Sequence, residues 1–160
     1  MSQRLLISSC LIGKKCAYDG RDRYDPEVAS LAKACDFVDI CPELSAGLGC
    51  PRVPHEISGG DGNDVLSGDA AIITESSQDY TQEFLLGAQN ALDLAINNNI
   101  RIAVLKSKSP SCGTAAVYSG RFDGKLNNGM GVTAALLKRN NINIYNENEI
   151  TALKIHLQML

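Results

Sequence analysis

The stretch Ile102-Ala103-Val104-Leu105-Lys106-Ser107-Lys108-Ser109-Pro110-Ser111-Cys112-Gly113 decides how the chain is read. Its first four residues form a short apolar run, the pattern of a strand buried on both faces. Its last eight are small, polar and cationic and end in Cys-Gly. A segment of that composition buries almost no apolar surface, so packing does not account for it. Cys10 and Cys41 stand in the same relation to Arg4-Leu5-Leu6-Ile7-Ser8-Ser9 and Phe37-Val38-Asp39-Ile40. Three strand ends therefore each deliver a thiol.

Working outward, helical patterns separate these strands. Asp25-Pro26-Glu27 opens a helix, with proline at its first position and Glu27 at the positive end of the dipole; Val28, Leu31, Ala32 and Cys35 follow along it. Asp79 is the expected cap of the clearest helix, in which Tyr80, Phe84, Leu85, Ala88, Ala91, Leu92, Ala95 and Ile96 share one face, and Asn97-Asn98-Asn99 ends it. Val132 to Asn140 reads as a third helix, Ile142 to Tyr145 as a last strand, and Glu147 to Met159 as a short closing helix. Cys41 to Pro54, with three prolines and two glycines, reads as a structured loop. Gly59 to Asn63 is a turn, and 64–66 with 71–74 form a small hairpin or two edge strands. Residues 122–131 are turn-rich. The alternation predicts one α/β domain over residues 1–160: a mainly parallel sheet flanked by helices, Rossmann-like and three-layered. In such a sheet the strand C-termini share one edge and ligands bind there. Topology alone then gathers Cys10, Cys41 and Cys112.

The chain has 160 residues, 44% apolar and 21% charged, with a net charge of −3. That suits a folded globular protein and disfavours a general nucleic-acid binder, which carries a basic excess. No run approaches the ~18 apolar residues of a membrane span. The N-terminus enters a strand without a signal-peptide pattern, so a cytoplasmic setting is expected. There six cysteines read as buried hydrophobes, ligands or nucleophiles before disulfides.

Three thiolates at one edge suit a soft metal or an iron–sulfur cluster. A four-iron cluster normally takes four thiolates, and three leave one iron open to substrate. Loop residues bounded by Pro and Gly are poor places to bury a thiol, which weighs against three unrelated packing residues. Cys16 and Cys50 are alternative ligands, and Cys35 reads as core. His55, in a loop, and His156 read as ordinary surface or packing residues. Glu43, two residues after Cys41, is a candidate general base, or else a solvated loop charge. Ser109 and Ser111 offer hydroxyls to a substrate, or cap the turn. Lys14, Lys15, Lys106, Lys108 and Arg52 could draw in an anionic ligand. Gly129-Met130-Gly131-Val132-Thr133 is a weak phosphate-site pattern.

In order, the chain carries Ser9-Cys10-Leu11-Ile12-Gly13, Tyr18-Asp19-Gly20, Cys41-Pro42-Glu43, Gly47-Leu48, Pro51-Arg52, Ser109-Pro110-Ser111-Cys112-Gly113 and Gly131-Val132-Thr133-Ala134-Ala135-Leu136-Leu137. Asp79-Tyr80-Thr81, Phe84 and Gly87-Ala88 add to the set. These motifs resemble the domain of unknown function 523 family, associated with thiouracil desulfidases, over nearly the whole chain. The resemblance implies a [4Fe-4S] cluster on Cys10, Cys41 and Cys112, and an iron-bound thiocarbonyl sulfur. It further implies water activated by Glu43, a base oriented by Ser109, and uracil and sulfide as products without net redox change. The expected partner is a small thiolated pyrimidine, with nucleic acid and membrane disfavoured and the protein a monomer or small homo-oligomer. Two other readings stay open: a zinc- or small-ligand-binding module on the same thiolates, and desulfuration of thiolated nucleosides in RNA.

Overall fold

The computed structural model describes residues 3–159. In chain order they form β1 (Arg4–Ser8), α1 (Pro26–Ala34), β2 (Asp36–Ile40), α2 (Pro42–Ser45), β3 (His55–Ser58), α3 (Gly62–Leu66) and β4 (Ala71–Thr74). There follow α4 (Thr81–Asn97), β5 (Ile102–Leu105), β6 (Ala116–Tyr118), β7 (Leu126–Asn128), α5 (Val132–Arg139), β8 (Asn143–Asn146) and α6 (Ile150–His156). The central sheet runs β2-β1-β5-β8, parallel throughout, with Ile7 level with Asp39 on one side and Val104 on the other. This is the mainly parallel α/β sheet expected from the alternation of apolar runs and helices.

Strand periodicity sends alternate residues to opposite faces. Leu6, Ala103 and Leu105 meet Ala91, Ala95, Ala134 and Leu137 of α4 and α5. Leu5, Ile7, Ile102 and Val104 meet Val28 and Leu31 of α1 and Leu153 of α6. Both faces are therefore covered, which is why the strands read as continuous apolar runs. A third cluster joins Ile57, Val65 and Ile72 to Phe84, Ala88 and Val132, so the β3–β4 hairpin docks on the first turns of α4 and α3 on the start of α5.

Several expectations need correction. The segment from Cys41 to Pro54 contains a helical turn, α2, because Pro42 stands at its first position. Residues 64–66 are helical in α3 rather than extended. Asp61 accepts from the Asn63 and Asp64 amides, and the Asp64 carboxylate accepts from the Asp61 amide at 2.8 Å. This capping box outweighs the strand preference of Val65. The true partner of β4 is β3, antiparallel with Ile57 opposite Ile72. Residues 122–128, read as turn-rich, join 116–118 in a β6–β7 hairpin. The closing helix is shorter than expected, and Tyr80 rather than Asp79 takes the cap position of α4, while the Asp79 carboxylate accepts from the Thr81 amide at 2.8 Å. Cys35 ends α1 and packs, half-buried, against the β1–α1 core. Among the described residues, no helix is long and apolar enough to cross a membrane.

Candidate functional site

From β1 the chain steps to β2 on one side, and from β5 to β8 on the other. The direction reverses between β1 and β5, and the loops leaving their C-terminal ends diverge there to open a crevice. Cys10 lies in the 3-10 turn Ser9–Ile12 that follows β1, Cys41 caps α2 directly after β2, and Cys112 lies in the loop after β5. All three line one cavity of about 450 Å³, together with Cys16, Glu43 and Ser109. The five residues singled out from sequence are thus brought together. Cys50 is not among them: it is exposed, and its thiol donates to the Lys15 and Ala17 carbonyls at 3.3 and 3.4 Å.

The thiols form a connected set. The Cys41 thiol donates to the Cys16 carbonyl at 3.7 Å, and the Cys16 thiol is pushed up to about 11, chiefly by the neighbouring Cys10 thiol. Cys41 is raised further by its bond with Cys16 and by burial. Burial pushes Cys112 up to about 12, opposed by a hydrogen bond from Ser8. Thiols so disfavoured as anions in the bare protein are suited to a cationic partner that takes the proton's place. Among the described residues, no group of three or more His, Cys, Asp or Glu side chains is arranged to hold a single metal ion.

Glu43 is no solvated loop charge. Arg52 holds its Oε2 through Nε at 2.7 Å and through its terminal nitrogen, and both side chains are almost wholly buried. Ser111 Oγ donates to Glu43 Oε1 at 3.4 Å. Arg52 also donates to the Gly49 and Cys16 carbonyls. One guanidinium therefore ties the carboxylate to two cysteine-bearing loops. Ser109 Oγ accepts from the Ser111 and Cys112 amides at 3.0 and 3.1 Å, which leaves its O–H as a donor toward the cavity it lines.

Three of the five cationic residues singled out from sequence are committed to ion pairs, while Lys108 lines the cavity. Lys14 pairs with Asp39, Lys106 with Glu147, and Arg52 with Glu43. Glu147 also accepts from the Ser107 amide and hydroxyl, both at 2.8 Å, pinning the strand end from which the Ser109–Cys112 loop departs. The proposed phosphate site at Gly129–Thr133 is filled by protein. The Val132 and Thr133 amides donate to the Pro110 and Ser111 carbonyls at 2.8 Å, so the free N–H groups of α5 anchor the cysteine loop instead. His55 is neither in a loop nor on the surface. It sits in β3, buried, with its ring edge-on to Tyr80 and tilted against Phe84, and its Nε2 has no partner. Burial holds its imidazole below the usual range. The sequence marks Arg52 as a cation but not as the partner of Glu43; for Ser8 and Glu147 no local signal existed, since each acts on residues far along the chain.

The comparisons agree with this architecture. The family model for 2-thiouracil desulfurase matches residues 5–149. The uncharacterized protein YbbK of Bacillus subtilis (strain 168) is 43% identical over 146 residues, covering 91% of this chain and 97% of that protein. The solved structure of the [4Fe-4S]-dependent thiouracil desulfidase TudS matches with a TM-score of 0.87 at 35% identity, covering 99% of each chain. With the family model spanning all four strands of the sheet and all three strand-end cysteines, the chain belongs to the 2-thiouracil desulfurase family.

Proposed function

We propose that this protein replaces the sulfur of thiouracil-type pyrimidines with the oxygen of water, using a [4Fe-4S] cluster held by Cys10, Cys41 and Cys112. The observation that carries the reading is the convergence of three thiols, from three parallel strand ends, on one cavity beside Glu43. The donor set fits the group: three soft thiols, too few to saturate four irons, face a cavity large enough for a cluster and a small heterocycle. When bound, the cluster supplies a Lewis-acidic iron for the thiocarbonyl sulfur.

The remaining work falls to side chains. With Oε2 committed to Arg52, Glu43 presents Oε1 to a water molecule and takes its proton as the oxygen attacks the ring carbon. Ser109 donates its O–H to the heterocycle and fixes which carbon faces that water. The reaction exchanges C=S and H₂O for C=O and H₂S, with no electron transferred. The free state of all six cysteines suits a reducing, cytoplasmic setting.

The test is anaerobic reconstitution followed by incubation with 2-thiouracil and 4-thiouracil. Uracil and sulfide should appear in equal amounts. Glu43→Gln should lower turnover by about 10²–10⁴-fold, the usual share of a general base, while iron content stays unchanged. Protein that binds zinc and shows no visible absorbance overturns the reading.

A further inference from the structure

Cys16 has no task in a three-thiol site, yet it is the thiol most closely built into it. It stands six residues after Cys10, on the loop between β1 and α1. Its residue is 4% exposed, and it lines the cavity beside Cys10, Cys41 and Cys112. Its main chain is held from two sides, because its carbonyl accepts from Arg52 at 3.0 Å and from the Cys41 thiol at 3.7 Å. Ordinary packing is a poor account of it. Cys112 belongs to one apolar cluster and Cys10 and Cys35 border another, whereas Cys16 is a member of none of the three and lines the cavity.

We propose that Cys16 is an internal fourth ligand, which occupies the iron left open by Cys10, Cys41 and Cys112 whenever substrate is absent. The inference rests on the cluster reading given above. A four-iron cluster is most stable with four thiolates, and Cys16 is the one further thiol that both touches the ligand set and faces the same cavity. Its loop can release it: Gly13, at φ +100°, and Gly20, at φ +78°, lie on either side of Cys16 in positions that glycine relaxes easily. On substrate binding the iron–Cys16 bond breaks and a bond to the thiocarbonyl sulfur forms. Each sulfur keeps its electron pair, no electron is transferred, and the freed thiolate takes a proton from water. An internal ligand of this kind shields the cluster from losing its exposed iron, and it competes with substrate, so the apparent affinity is the intrinsic one reduced by the fraction of open site.

The experiment is mild ferricyanide oxidation of substrate-free, reconstituted protein, followed by iron analysis and electron paramagnetic resonance. The wild type should keep four irons and stay free of a three-iron signal. Cys16→Ala should lose one iron and show that signal, and it should bind thiouracil several-fold more tightly in an anaerobic titration. Cys16→Ser, which keeps the volume and the hydrogen bonds but ligates iron poorly, guards against a folding defect in the alanine variant and should behave like it. If wild type and both variants lose the fourth iron alike, Cys16 is not a ligand while the desulfidase reading stands. If the wild type assembles no cluster at all, both fall.

Discussion

Glu43 would be an unremarkable loop carboxylate but for Arg52, nine residues further on, which grips one of its oxygens and two backbone carbonyls at once. Lysine can replace the charge but not the fork that makes those contacts together. Arg52→Lys should therefore lower kcat/KM for thiouracil by about 10–100-fold, the scale expected when a catalytic group drifts by about an ångström. Iron content should be unaffected, and a variant with near-normal turnover would remove Arg52 from the account. His55 makes the opposite case. Its Nε2 is buried without a partner, and an unmade hydrogen bond of that kind costs about 1–3 kcal/mol. His55→Phe keeps the aromatic contacts with Tyr80 and Phe84 and should raise the urea midpoint at neutral pH. A fall in the midpoint would mean that the imidazole has a partner after all. At this scale the sequence showed the thiols and Glu43, because each stands directly after a recognisable strand. It showed Arg52 only as a cation, and it did not show Ser8 or Glu147, whose partners lie far along the chain.

Among the elements, the long amphipathic helix α4 and the sheet strands were legible because their apolar periods are unbroken. The strand Ala71–Thr74 was legible but not its partner β3, and the β6–β7 hairpin was not, since short polar strands such as Leu126–Asn128 carry almost no periodic signal. The contact between α4 and α2 was equally hidden. A side chain at Gly87 would come within 2.4 Å of the Pro42 carbonyl oxygen, so α4 lets α2 approach only because this position has no Cβ. Elsewhere in a helix, Gly→Ala stabilises by about 1 kcal/mol. Here Gly87→Ala should destabilise instead, by about 1–3 kcal/mol as overpacking does. Because α2 carries Glu43 and is capped by Cys41, the same change should lower iron retention after reconstitution. A variant as stable as the wild type, with full iron, would show that α2 does not rest on this contact.

For the whole molecule, the parallel sheet and the location of the site at its C-terminal edge followed from element alternation, but the order β2-β1-β5-β8 did not, because crossovers of equal length allow several orders. A small set of buried or half-buried polar ties joins neighbouring elements of the molecule. Glu147, just after β8, holds the Lys106–Ser107 end of β5, and Asp61, before α3, accepts from the Met130 amide near the start of α5. Burial alone would raise the carboxyls of Glu147 and Asp61, yet the Lys106 and Ser107 contacts in the first case and backbone amides in the second hold both below the usual carboxylate range. A carboxyl depressed on folding contributes stability that is present above its unfolded pKa and lost as pH falls through its folded one. His55, whose imidazole burial depresses, has the same sign, with its loss beginning higher, below about pH 6.5. The urea midpoint of the metal-free, reduced protein should thus fall in two stages on acidification: modestly below about pH 6.5, then steeply below about pH 4. His55→Phe should remove the first stage, and Glu147→Gln should weaken the protein at neutral pH while flattening the second. A midpoint unchanged between pH 7 and pH 4 would show that these ties do not stabilise the fold.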